Sequence, residues 1–93
     1  MSGPQKRTAT VRITNKRGLH ARASAKIVEA ASRFQSEIMV TKDGQSVNAR
    51  SIMGLMMLAA SLGSEVEISA EGPDSAEALT AMVALAEAKF GEE

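Results

Sequence analysis

The sequence predicts an α+β open-faced β-sandwich, a four-stranded antiparallel sheet with three helices on one face, in the order β-α-β-β-α-β-α. Three observations predict it. Short segments in which apolar and polar residues alternate with a period of two are interleaved with segments whose apolar residues recur at helical spacing. The strand segments alternate and do not run apolar throughout, which leaves the sheet one covered face and one wet face. Each helical segment carries an apolar face, and those faces find their burial on the covered side of the sheet.

The elements follow in order. The first seven residues read as a frayed lead-in. Thr8 to Thr14 alternate, with Ala9, Val11 and Ile13 on one side and Thr8, Thr10, Arg12 and Thr14 on the other, the pattern of a half-buried strand. Asn15 to Gly18 breaks it. From His20 to Phe34 the period becomes helical, with Ser24, Ile27, Val28, Ala31 and Phe34 on one face and many alanines to favour the helix. Glu37 to Lys42 is a strand and Gln45 to Asn48 its return. The Asp43-Gly44 pair between them suits the tight hairpin turn that needs positive φ at both central positions. Ser51 is a good N-cap for a second helix, expected to end near Gly63. Glu65 to Ala70 is a strand with Val66, Ile68 and Ala70 facing in. After the Gly72-Pro73-Asp74 break, a third helix places Ala76, Leu79, Met82, Val83, Ala86 and Phe90 on its apolar stripe and closes at Gly91.

At 93 residues the chain reads as one domain, 1–93, too small for a large enclosed active site. Its formal net charge of +0 argues against nucleic acid as the main partner, since phosphate-backbone binding calls for a basic excess. The charge is uneven: Lys6, Arg7, Arg12, Lys16, Arg17 and Arg22 crowd the first quarter, a local field suited to an anionic group or an acidic partner surface. There is no cysteine, so disulfides and thiolate chemistry are excluded and a reducing cytoplasm fits. With a single histidine besides, no metal site is expected, and no cofactor. Phe34 and Phe90 are the only aromatics, too few for a base-stacking platform. No apolar run resembles a signal peptide or reaches the length of a membrane span, so no membrane insertion is expected.

The chemistry concentrates in Gly18-Leu19-His20-Ala21-Arg22-Ala23-Ser24. His20 sits where loop becomes helix. An imidazole offers a neutral nucleophilic nitrogen near neutral pH, and the N–P bond it forms is labile, so a phosphoryl group can be accepted and passed on. The first N–H groups of a helix have no intrahelical partner and carry the positive end of the dipole. A phosphoryl group there is cradled by the amides of Ala21, Arg22 and Ala23. Arg22 adds fork-shaped donors that match phosphate oxygens, and Arg17 is placed to contribute from the preceding loop. Gly18 lets that loop turn tightly. The plainer alternative is a histidine that merely caps a helix at the surface.

Taken together, these residues resemble the active-site segment of the HPr family, the histidine-containing phosphocarriers of the bacterial phosphoenolpyruvate-dependent phosphotransferase system. The family signature of Gly, an aliphatic residue, His, a small residue and Arg is met by Gly18, Leu19, His20, Ala21 and Arg22. The resemblance runs from Thr8 to about Phe90 in the order of elements as well as in motifs. It implies phosphorylation of His20 on Nδ1 by enzyme I, transfer to enzyme IIA-type proteins, and a phosphate-stabilising role for Arg22, with Asn15 shaping the loop. Ala23 stands where sugar-transport members more often carry Pro, and it supplies an amide that Pro lacks. A nitrogen-related regulatory branch is the second possibility.

Asn48 to Leu58 is the other informative stretch. Ile52, Leu55 and Met56 share one helical face and Met53 and Met57 another, so a helix this short in so small a domain is expected to leave apolar surface for docking. Methionine adapts to several partners. The alternative is that Met53 and Met57 fill the core. Ser51 reads first as an N-cap. The run Ser51-Ile52-Met53-Gly54 also matches the family segment that carries a regulatory serine, which implies an HPr kinase/phosphorylase as a further partner. A monomer is expected, because a carrier must show one face to successive partners. Two other classes stay open, a binding regulator that docks through the methionine patch without using His20, and a ferredoxin-like nucleic-acid or metal-binding domain.

Overall fold

The structure is a computed structural model that describes residues 6–92. Strands and helices follow in the predicted order: β1 (Lys6–Arg12), α1 (Ala21–Ala31), β2 (Glu37–Lys42), β3 (Gln45–Asn48), α2 (Ile52–Met57), β4 (Glu65–Glu71) and α3 (Ser75–Glu87), followed by a 3₁₀ turn at Lys89–Gly91. The sheet order is β1-β4-β2-β3, and each neighbouring pair is antiparallel. Val66, Ile68 and Ala70 of β4 are buried, and their cross-strand partners Val11, Val40 and Ile38 are buried with them. Ala23, Ile27 and Ala31 of α1, Leu55 of α2 and Ala78, Met82 and Ala86 of α3 join the same apolar core. The β2–β3 turn has φ of 51° at Asp43 and 81° at Gly44, the conformation the Asp-Gly pair predicts. No described helix is long and apolar enough to cross a membrane.

Four boundaries and the buried face of α3 differ from expectation, each for a local reason. Lys6 and Arg7, expected to fray, are the first rungs of β1, opposite Glu71 and Ala70. Lys6 and Glu71 form an opposite-charge cross-strand pair. The rest of that lead-in, 1–5, lies outside the described residues. At its other end β1 stops at Arg12, because Ile13 turns from β4 to the segment before it: the Ile13 N–H donates to Ser64 O and the Gly63 N–H to Ile13 O, both at 2.8 Å. Helix α1 ends at Ala31, three residues before Phe34, where the Arg50 guanidinium collects the carbonyls of Ala31, Phe34 and Ser36. Helix α2 ends at Met57 and not near Gly63. Ala59 takes a left-handed φ of 55° and the chain runs on as a loop whose Ala60 carbonyl accepts the Leu19 N–H at 2.9 Å. Finally, α3 buries Ser75, Ala78, Met82 and Ala86 and leaves Ala76 exposed and Leu79 and Val83 half-buried. Alanines at 76, 78, 81, 84 and 86 make this helix apolar on most sides, so periodicity alone does not choose the face and the sheet does. Phe90 still reaches the core, but from the 3₁₀ turn and not from the helix.

Asp74, at the start of α3, makes no cap bond to its own helix. Its carboxylate accepts the backbone N–H groups of Gln35 and Ser36 and the Ser36 hydroxyl, which ties the β4–α3 turn to the α1–β2 turn. These bonds, the Ser36 hydroxyl foremost and the Gln35 amide next, hold the Asp74 carboxyl below its ordinary range. A group whose folded value is lowered contributes stability that is complete above its unfolded value and is lost as pH falls through the folded one. Asp74→Asn is therefore expected to lower Tm at neutral pH and to flatten the further loss of Tm between about pH 5 and about pH 2. Thermal unfolding across that range checks it; parallel profiles for the two proteins would contradict it.

Candidate functional site

The loop between β1 and α1 is held from below. Asn15 is fully buried, and its Nδ2 donates to Gly18 O at 2.8 Å and to Glu92 Oε1 at 2.7 Å. Two acceptors on the same side fix which end of the amide is nitrogen. Its Oδ1 is buried and has no hydrogen-bond partner among the described residues. Gly18 has a φ of 65°, and a Cβ there would stand 2.3 Å from Ala60 O. The loop thus lies directly on the α2–β4 segment, which the Leu19 N–H to Ala60 O bond fastens. Leu19 is buried, and its carbonyl accepts the Ser24 hydroxyl at 3.2 Å.

On this footing His20 becomes the N-cap of α1, with extended backbone (φ −74°, ψ −178°) and its carbonyl accepting the Ser24 N–H at 2.9 Å. The imidazole Nδ1 accepts the Arg22 N–H at 3.3 Å, so this nitrogen faces the helix N-terminus. Ala21 and Ala23, the other residues of the first turn, have N–H groups that by position lack an intrahelical acceptor. The ring is mostly covered, its side chain 17% exposed, and Nε2 lies 3.6 Å from Glu92 Oε1. The Asn15 amide, chief among its surroundings, holds the Glu92 carboxyl below its usual range, and Arg17 and, when protonated, His20 add to this against the opposing effect of burial.

A cleft open to solvent is lined by Arg17, His20, Arg22, Ala23, Lys26 and Glu92, together with Phe90 and Gly91. Of the sequence-predicted site residues, Arg17, His20, Arg22 and Ala23 share this cleft; Ala21 stands in the first helical turn, Gly18 in the loop behind, and Asn15 beneath. Neither Arg17 nor Arg22 is drawn into an ion pair among the described residues. Sequence reasoning missed Lys26 and Glu92. Lys26 stands one helical turn beyond Arg22, a spacing visible in the sequence. Glu92 gave no local signal, since only folding brings it 72 positions back along the chain to His20.

The second region is α2. Ser51 is its N-cap, with Oγ accepting the Gly54 N–H at 2.9 Å. Met53 and Met57 are 70% and 66% exposed, which removes the core-filler alternative, and Ile52 and Met56 are exposed beside them. Leu55, expected in the docking patch, is 0% exposed. Its face of the helix turns into the core with Leu58, so it anchors α2 and offers nothing to a partner. Leu62, from the following loop and 57% exposed, is a further exposed apolar side chain that the sequence did not single out.

An open-faced sandwich whose one histidine caps a helix amid unpaired amides and cations defines a class, the histidine-containing phosphocarriers. Comparison with known proteins bears on which. Residues 7–88 match the family described as the PTS HPr component phosphorylation site. The phosphocarrier protein HPr of Treponema pallidum (strain Nichols) is 55% identical over 84 residues, 90% of this chain and 96% of that one. The crystal structure of HPr-C-His from Thermoanaerobacter tengcongensis superposes with a TM-score of 0.90 at 54% identity, covering 94% of this chain and 98% of the other. Bacillus subtilis Crh, a catabolite repression protein described as an intertwined dimer with a swapped domain, superposes with a TM-score of 0.73 at 47% identity over 85% of this chain and 91% of its own. The chain belongs to the HPr family of phosphocarrier proteins.

Proposed function

We propose that the protein accepts a phosphoryl group from phosphorylated enzyme I onto Nδ1 of His20 and passes it to a histidine of an enzyme IIA-type protein, in sugar transport or its regulation. The observation that carries this is the aim of Nδ1 at the Arg22 amide, at the positive end of α1. In-line attack by the Nδ1 lone pair, freed as the Arg22 N–H passes from Nδ1 to a phosphoryl oxygen, forms the new P–N bond as the bond to the donor histidine breaks and its electron pair returns to the donor ring. Charge on the phosphoryl oxygens is met by the amides of Ala21, Arg22 and Ala23 and by Arg22, with Arg17 across the cleft. The protein contributes positioning and charge, which is most of what phosphoryl transfer needs. The reading places the chain in the cytoplasm, acting as a monomer. Incubation with phosphoenolpyruvate and enzyme I, followed by mass spectrometry, tests it: one acid-labile phosphoryl group on His20 is expected, and an unmodified protein would refute it. Offering a sugar-permease acceptor and a nitrogen-branch acceptor side by side then assigns the branch.

The exposed Ile52, Met53, Met56 and Met57 supply the docking surface. Met53→Asp is expected to weaken binding to enzyme I at least tenfold while stability changes by no more than about 0.5 kcal/mol, as at other exposed positions. Titration calorimetry paired with thermal unfolding reads both; intact affinity with a lowered Tm would reverse the assignment. Ser51 is a candidate for an HPr kinase/phosphorylase, because a phosphate at a helix N-terminus is electrostatically tolerated and adds charge beside the patch. A second reading, a regulator that docks through the Ile52/Met53 patch without transfer, draws support from the likeness to Crh. Retained partner binding with no phosphate transfer would favour it.

A further inference from the structure

We infer that Glu92 is a positioning residue for the transfer reaction, which keeps the imidazole of His20 in the tautomer that leaves Nδ1 bare. The inference rests on the reading that Nδ1 is the phosphoryl acceptor.

A neutral imidazole carries its proton on one nitrogen or the other, and only the bare nitrogen attacks phosphorus. Two groups from unrelated parts of the fold face the two nitrogens of His20. On one side is a donor, the Arg22 N–H at 3.3 Å from Nδ1. On the other is a carboxylate oxygen, Glu92 Oε1, at 3.6 Å from Nε2. That separation is long for a hydrogen bond but close for a charge. Both environments select the same form: a proton on Nε2 is attracted by the carboxylate, and a lone pair on Nδ1 meets the amide. With the proton on Nδ1, two N–H groups would oppose each other and a lone pair would face an anion.

The carboxylate is held in place by more than this contact. The same Oε1 accepts the Asn15 Nδ2 at 2.7 Å, from an asparagine that is 0% exposed. Phe90 is 4% exposed and pins the segment after α3 to the core. Lys89, Phe90 and Gly91 take φ of 57°, 55° and 76° in succession, and two of these three are not glycine. A left-handed run of this kind is unfavourable for L side chains and persists where surrounding contacts impose it. It reverses the chain so that Glu92 returns over the ring, with the Glu92 N–H closing on Lys89 O at 2.8 Å. The hydrogen bond from Asn15 and the nearby cations favour the ionised carboxyl.

The arrangement suits transfer in both directions. When the Nδ1 lone pair takes the phosphoryl group, the donor's P–N bond breaks and its electron pair returns to the donor ring. The proton on Nε2 stays where it is, the phosphorylated ring becomes imidazolium-like, and the Glu92 carboxylate opposes that charge from the side away from phosphorus. When the group leaves, the pair returns to Nδ1 and again no proton moves. Glu92 touches no substrate and acts through the ring.

The test is ¹⁵N NMR of His20 in the unphosphorylated protein, with the neutral ring, for the wild type, Glu92→Gln and Glu92→Ala, beside the rate of phosphorylation by enzyme I. Gln keeps an oxygen in the same place without the charge; Ala keeps neither. The wild type is expected to show widely separated resonances with Nδ1 unprotonated. The separation should shrink in Gln and more so in Ala, and the Ala protein should be phosphorylated roughly tenfold more slowly, as it would be if the attacking tautomer fell to about a tenth of the population. Identical ¹⁵N spectra in all three proteins would overturn the inference, and so would a tautomer shift with an unchanged rate. A wild type that shows the tautomer but is not phosphorylated at all would instead defeat the proposed function. A ¹H–¹⁵N amide spectrum matching the wild type shows that each variant is folded.

Discussion

His20→Ala is expected to yield a folded protein that takes up no phosphate from phosphoenolpyruvate and enzyme I. The expectation is an all-or-none loss, because the chain has one histidine and no cysteine to stand in as nucleophile. The remainder of the cleft should persist. The Asn15 amide keeps both its acceptors, Gly18 O and Glu92, neither of which is supplied by the ring. What the fold loses is the N-cap, since alanine offers the Arg22 N–H no acceptor in place of Nδ1. Cap removal is worth about 1 kcal/mol, or a fall in Tm of roughly 5 °C in a domain this size. Mass spectrometry and thermal unfolding measured together separate the two effects. Acid-labile phosphate on the variant would end the assignment of His20, whereas acid-stable phosphate introduced by a serine kinase would not bear on it.

Gly18→Ala is expected to be the most destabilising single-methyl change in the site. Its Cβ would lie 2.3 Å from Ala60 O and 2.8 Å from Ser61 Cα, both backbone atoms that cannot rotate aside. The left-handed φ of 65° adds its own penalty, about 1 kcal/mol. Overpacking of a well-filled site costs about 1–3 kcal/mol more. Relief requires the histidine loop to part from the α2–β4 segment, which breaks the Leu19 N–H to Ala60 O bond. A total of roughly 2–4 kcal/mol follows, or a drop in Tm of about 10–30 °C. Phosphorylation should slow as well, because Leu19 leads directly into the N-cap. Calorimetry measures the first and enzyme I kinetics the second; a loss below about 1 kcal/mol would mean that the contact yields easily.

How much of this was legible in the sequence depended on whether the signal was local. The β2–β3 hairpin reads directly from Glu37–Lys42, Asp43-Gly44 and Gln45–Asn48, because alternation and a turn that needs positive φ are properties of adjacent residues. Ser51 as a cap and His20 at a helix start are equally local. The end of α2 was not, because Ala59 leaves helical space to meet a loop some forty positions earlier. The face of α3 was ambiguous because alanine serves a buried and an exposed position almost equally well. Leu55 and Met56 look alike in a hydropathy pattern, yet one is core and the other exposed, a distinction set by the rotation of a helix of fewer than two turns. Glu92 was invisible for the same reason in a stronger form: its meaning depends on Phe90 being seated first.

The register of the sheet has a consequence of its own. Arg12 opposite Glu65 marks the end of the β1–β4 pair nearest the histidine loop, while Lys6 opposite Glu71 marks the other end, where the Asp74 tie lies. The histidine cleft and the Asp74 tie therefore lie at opposite ends of the β1–β4 pair, with α3 running between them. An engineer could harden this protein against heat or low pH by rebuilding the Ser36–Asp74 end without disturbing turnover at the other.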